Sequence, residues 1–72
     1  MTEELLDTVR ARTFITSAGP TIRRSAKLSY ADVAKVLNVA PSTVFRWERG
    51  ERTPSASNAR TYAKLLHKIA SS

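Results

Sequence analysis

The chain has 72 residues, and its 12 Lys and Arg outnumber six Asp and Glu for a formal net charge of +6. A domain of this size buries only about 60–65% of its unfolded surface, so its core is small, and with no cysteine it carries neither disulfide staples nor a Cys-rich zinc site. Its 42% hydrophobic content is too high for a disordered tail, and no apolar run approaches the ~18 residues of a membrane span.

No stretch reads as a secretory signal, so the expected location is the cytoplasm. The charge is unevenly placed. Residues 1–9 hold Glu3, Glu4 and Asp7 and no basic side chain, whereas residues 10–72 hold all the Lys and Arg and the other three acids, a net of +9. A compact body with that charge attracts polyanions. A membrane surface is also anionic, but no helix here pairs a basic face with a broad exposed apolar face.

The spacing predicts five helices and no strand. Residues 3–16 form the first, with acids at its start and Arg10 and Arg12 later, as the helix macrodipole favours. Leu5, Leu6, Val9, Phe14 and Ile15 give it a rough 3.6-residue period. Gly19-Pro20 breaks the chain, and Pro20 opens a short second helix over residues 21–27. Ser29 is the N-cap of a third helix, with Asp32 three residues on as a variant capping box. Tyr30, Val33, Ala34 and Leu37 face inward along it. Asn38 then turns the chain, because asparagine tolerates the left-handed conformation better than most residues. Pro41 opens a fourth helix, 41–49, that ends at Gly50. On a 100° wheel Thr43 and Val44 fall within ~60° of Trp47, while Ser42, Phe45, Arg46 and Arg49 fall on the far side. Residues 51–54 make a loop. A last helix, 55–70, puts Ala59, Tyr62, Ala63, Leu66, Ile69 and Ala70 on one side.

A helix that enters the DNA major groove needs a buried side to hold its angle, reading side chains near its N-terminus, and a partner helix crossing closely behind it. Residues 29–50 supply all three. Ala34 leaves room for the crossing, Val39 plugs the turn, and Val44 and Trp47 anchor the reading helix. The chain here resembles the Cro and lambda-repressor type (XRE) helix-turn-helix family. The likeness rests on Leu28-Ser29, Val33-Ala34, Leu37, Val39, Ser42-Thr43-Val44, Arg46-Trp47-Glu48-Arg49-Gly50 and Pro54, with Ile22-Arg23 at the end of the family's first helix. It covers about residues 20–70. Asn38 stands where the family usually has Gly, Ala40 where it usually has a capping Ser or Thr, and Tyr30 where it often has a phosphate-binding Gln.

The resemblance implies a compact all-α helix-turn-helix DNA-binding domain and an ion pair between Arg23 and Glu48. It puts Pro41, Ser42, Phe45 and Arg46 in the base-reading region. Arg46 suits a bidentate contact to guanine and Phe45 a thymine methyl, while Ser42 reaches a base or a phosphate and Pro41 also serves as helix opener. Arg49, Arg52 and Thr53 follow the reading helix and are expected on phosphates, with Lys27, Ser29, Lys35 and Thr43 beside them. Tyr30 has two open readings: its hydroxyl on a phosphate, or its ring over the edge of the core. Arg60, Lys64 and Lys68 read as a solvated face.

The implied function is a sequence-specific double-stranded DNA-binding transcription regulator, a repressor or Cro-like phage regulator. Two other readings compete. An antitoxin-type interaction module usually needs a tail for its partner, which residues 71–72 hardly provide. An excisionase-like or MerR-like architectural binder normally begins at the motif and adds a β-wing. No catalytic constellation is present, so an enzyme is not expected. His67 is the only histidine, so neither a metal cluster nor a catalytic pair can form around it. No cofactor, metal or small-molecule ligand is expected. Weak homodimerisation through the last helix and monomeric binding are both compatible with the sequence.

Overall fold

A computed structural model describes the backbone of residues 2–71 and the side chains of residues 5–71. It contains four helices: α1 (Thr2–Ser25), α2 (Tyr30–Leu37), α3 (Pro41–Glu48) and α4 (Ala56–Ala70). No strand occurs among the described residues. The count of five expected from the sequence is therefore corrected to four, because the helices expected at 3–16 and 21–27 are one continuous helix. The side chains of Glu3 and Glu4, expected at its start, lie outside the described residues.

Pro20 sits inside α1. Its ring nitrogen has no proton for the carbonyl four residues back, which in an isolated helix costs about 3 kcal/mol. Tertiary packing on both sides of the proline offsets that cost. Ile15, Gly19 and Arg23 recur every four residues, and all three are buried. A Cβ at Gly19 would stand 3.6 Å from Leu66 Cδ1 and 3.9 Å from Glu48 Cγ, so α1 runs close to both α4 and α3 at that point. The hydroxyls of Thr16, Ser17 and Ser25 each donate to the carbonyl four residues back and so stay within the helix.

Three helices end on a residue with positive φ: Lys27 (59°) after α1, Asn38 (57°) after α2 and Gly50 (74°) after α3. In each case the next N–H reaches back to the last turn: Leu28 to the Arg23 carbonyl, Val39 to Ala34, and Glu51 to Arg46, at 3.1, 3.0 and 3.0 Å. These are Schellman-type closures, which satisfy the orphan carbonyls of the helix end. The α2 start is also closed: the Asp32 N–H donates to Ser29 Oγ, and the Ser29 N–H donates to the Asp32 carboxylate at 2.8 Å. That last bond holds the Asp32 carboxyl below its ordinary range. Ala40 gives α3 no side-chain cap, and Pro41 supplies the first turn instead. Ser55 caps α4, so that helix begins at Ala56.

The core is shared by all four helices. Ile15, Val33, Val44, Tyr62 and Leu66 are its largest fully buried side chains, and replacing Ile15 or Leu66 by Ala would cost about 2–5 kcal/mol. Leu5, Leu6 and Val9 are exposed, because they lie on the side of α1 turned away from the buried Thr8, Ala11 and Ile15; Ala70, expected on the inner side of the last helix, is exposed at the end of α4.

Candidate nucleic-acid interface

The inner side of α3 is locked in place. Val44, Trp47 and Glu48 are buried. The Glu48 carboxylate accepts from three donors: Arg23 Nε at 2.7 Å, Arg23 Nη2 at 3.1 Å and the Tyr62 hydroxyl at 2.6 Å. Arg23 Nη1 donates to the Leu28 carbonyl at 2.9 Å. One carboxylate thus ties α3 to α1 and α4, and the same guanidinium ties α1 to the entry of α2. Arg23 is 6% exposed and Glu48 5%, so the pair is a bidentate bridge in a low-dielectric setting. The hydrogen bond to Glu48 outweighs desolvation and holds the Arg23 guanidinium above its ordinary value. Burial first, and then the neighbouring carboxylate, push the Tyr62 hydroxyl well above its ordinary range.

The outer side of α3 faces solvent. Pro41, Ser42 and Arg46 are exposed, and Thr43 and Phe45 are half-buried. Phe45 meets Tyr30 edge-on, ring centroids 5.4 Å apart. The Tyr30 ring in turn lies 4.1 Å beneath the Arg23 guanidinium, and Arg49 sits 5.2 Å over the Phe45 ring. Cation, ring, ring and cation form one ladder from the buried ion pair to the surface. The contact between Tyr30 and Phe45 depends on the crossing of α2 and α3, which no local spacing encodes.

The flanking candidates Lys27, Ser29, Lys35, Arg49, Arg52 and Thr53 are all exposed. Arg49, expected within the reading helix, is its C-terminal cap residue and pairs with Glu51 at 3.4 Å. Beyond α3, Arg52 and Thr53 line a groove of about 430 Å³ together with Arg12, Thr13, Thr16 and Ser17 of α1. Arg12 Nε donates to the Pro54 carbonyl at 3.0 Å and fastens this loop to α1. These α1 residues lie far from the loop in sequence, and only the fold makes them its neighbours. His67 stacks on Phe14 with ring centroids 4.2 Å apart. Among the described residues no cluster of three or more His, Cys, Asp or Glu is placed to hold a metal, and no helix is long and apolar enough to cross a membrane.

A helix-turn-helix family model matches residues 21–68, which take in the end of α1, the α2–turn–α3 unit and most of α4. The chain belongs to the helix-turn-helix family of the Cro and lambda-repressor (XRE) type. It is a DNA-binding transcription regulator of that type. No curated protein and no solved structure matches it. The family match begins at Thr21, inside α1, so the first 19 residues of this regulator's α1 stand outside it.

Proposed function

We propose that the chain is a sequence-specific repressor of the Cro-like phage kind that reads the DNA major groove with α3. The observation that carries this reading is the division of α3 into two sides. Val44, Trp47 and Glu48 are buried and Glu48 is tied to α1 and α4, while Ser42 and Arg46 stand exposed on the opposite side. A helix held that firmly can present a guanidinium at a set angle to base edges, which bidentate recognition of guanine requires. In this reading Arg46 and Ser42 contact bases, and Pro41 brings the helix start to the groove. Phe45 offers the part of its ring not covered by Tyr30 to a thymine methyl. Arg49, Arg52 and Thr53 hold phosphates beyond the helix, and Lys27, Ser29, Lys35, Thr43 and the Tyr30 hydroxyl hold the backbone around α2.

The test separates base from phosphate contacts. Duplexes selected from a random pool supply the preferred site; Arg46→Ala and Arg52→Ala are then titrated against that site and a scrambled one over a range of salt. Losing a base contact costs about 1–3 kcal/mol on the preferred site and relaxes one position. Losing a phosphate contact weakens both duplexes alike and lowers the salt slope by about one unit. Equal weakening of both duplexes by Arg46→Ala would sink its assignment to a base. An unchanged salt slope for Arg52→Ala would remove Arg52 from the phosphate set.

A further inference from the structure

One wall of the groove between α1 and the loop after α3 lies outside the family match. Arg12, Thr13, Thr16 and Ser17 supply it, and the match begins at Thr21. Their spacing puts these four on one side of α1. A Cβ on Gly50 would stand 3.9 Å from Thr16 Cγ2, so this side of α1 runs close to the end of α3. Arg52 and Thr53 stand in the same groove, and no Asp or Glu lines it. Neither arginine has a carboxylate partner among the described residues. Arg12 is half-buried and held at Nε by the Pro54 carbonyl. Its two terminal nitrogens make no hydrogen bond among the described residues. They form the edge of a guanidinium that matches two oxygens of a phosphate. The hydroxyls of Thr16 and Ser17 are committed to helix carbonyls. Those of Thr13 and Thr53 belong to exposed residues and make no hydrogen bond among the described residues, so each has a proton to donate.

We propose that α1 extends the DNA interface beyond the helix-turn-helix unit: Arg12 and Arg52 together hold one backbone phosphate in this groove, with Thr13 and Thr53 donating to it. This rests on α3 being the helix that meets DNA. The groove starts where α3 ends, with Trp47 and Gly50 among its lining, so a duplex seated on α3 carries its backbone past it. Two guanidiniums without a facing carboxylate make it a place for negative charge. The bond from Nε to Pro54 fixes the plane of the Arg12 guanidinium before DNA arrives, which lowers the cost of ordering a long side chain on binding. The same bond steadies the loop that carries Arg52 and Thr53, so Arg12 acts twice, as a brace and as a contact. A contact from Arg12 steepens by about 0.9 the salt slope set by Lys27, Lys35, Arg49 and Arg52.

The preferred duplex, selected from a random pool, is remade with a single neutral methylphosphonate at each backbone position in turn. For the parent chain, neutralising the phosphate in the groove should weaken binding about tenfold, the size of one charge-assisted contact. In Arg12→Gln the same replacement should cost little further, while the other phosphates keep their effect. Arg52→Ala alone should lower the salt slope by about one unit, and Arg12→Gln/Arg52→Ala by about two. Thr13→Val leaves the Arg12–Pro54 bond in place and should reduce the loss at that same phosphate. It decides the matter if circular dichroism shows that Arg12→Gln has lost helix. A folded Arg12→Gln with the parent's sensitivity at every phosphate overturns the proposal. So does a double variant with the slope of Arg52→Ala alone, since Arg12 is then only a brace for the loop. Arg46→Ala separates the two levels. If it weakens the preferred site as expected while Arg12→Gln changes no phosphate, only the α1 contact falls; if the parent selects no duplex, the DNA reading of α3 falls and this contact with it.

Discussion

Three donors from two residues converge on the Glu48 carboxylate, and no buried side-chain nitrogen or oxygen among the described residues is left without a partner. Removing one side of a buried ion pair strands the other charge away from water, which costs about 3–5 kcal/mol. Glu48→Gln is therefore expected to lower stability by roughly 3 kcal/mol in urea unfolding; a loss near 0.5 kcal/mol, the scale of an ordinary surface site, would contradict this. Tyr62→Phe removes a single hydrogen bond to a charged group and should cost less, about 1.5–3 kcal/mol. The same tyrosine sets an alkaline limit. Its folded pKa is raised, so its stabilisation is complete below the unfolded value near 10 and is lost as pH rises above it. Tyr62→Phe should accordingly flatten the fall in stability on the alkaline side. An equal slope in both proteins would remove Tyr62 as its source.

At the scale of the elements, the helix ends differ in how well their residues suit them. The left-handed conformation costs an L-residue about 1–2 kcal/mol, less for asparagine, and glycine nothing. Lys27 and Asn38 both adopt it, whereas Gly50 meets the same need without strain. Asn38→Gly should raise stability by about 0.5 kcal/mol, and Lys27→Gly by about 1 kcal/mol while removing a candidate phosphate contact. Thermal unfolding of the two variants checks the sign and the order. Within α1 the logic reverses. Gly19 is helical, and a Cβ there would meet its neighbours at 3.6–3.9 Å, ordinary van der Waals contact. Gly19→Ala should then stabilise by about 0.5–1 kcal/mol through the lower backbone entropy of the unfolded chain. A destabilised variant would mean that α1 must approach α3 and α4 more closely than these distances describe.

For the molecule as a whole, charge and shape meet in the salt dependence of binding. Lys27, Lys35, Arg49 and Arg52 are the cationic phosphate candidates, and four such contacts predict a log–log slope of about −3.6 per bound copy. Arg49 already pairs with Glu51 and stacks on Phe45, so its phosphate contact must replace an internal one. Titrations over a salt series measure the slope: a value near −1 would reduce the proposed phosphate surface to a single side chain, and one near −7 would bring in cations outside it, such as those on α4.

The parts of this protein that the sequence alone determined are those with local causes. The Ser29–Asp32 capping box, the proline opening at Pro41, the turn at Asn38 and the stop at Gly50 each depend on side chains within a few residues of the backbone they satisfy. The buried side of α3 followed from the 100° spacing of Val44 and Trp47. The family was legible for the same reason, since its signature lies in one short stretch. Tertiary structure decided the rest. Gly19-Pro20 reads as a helix break because propensity counts only neighbours along the chain. The helix continues because Glu48 and Leu66, distant in sequence, pack against it there. Phe45 reads as fully outward on a wheel, yet it is half-buried because α2 brings Tyr30 to its edge. Leu5, Leu6 and Val9 have the spacing of a buried face, but the same turns of α1 pack through Thr8 and Ala11 on another side, which leaves these three in solvent.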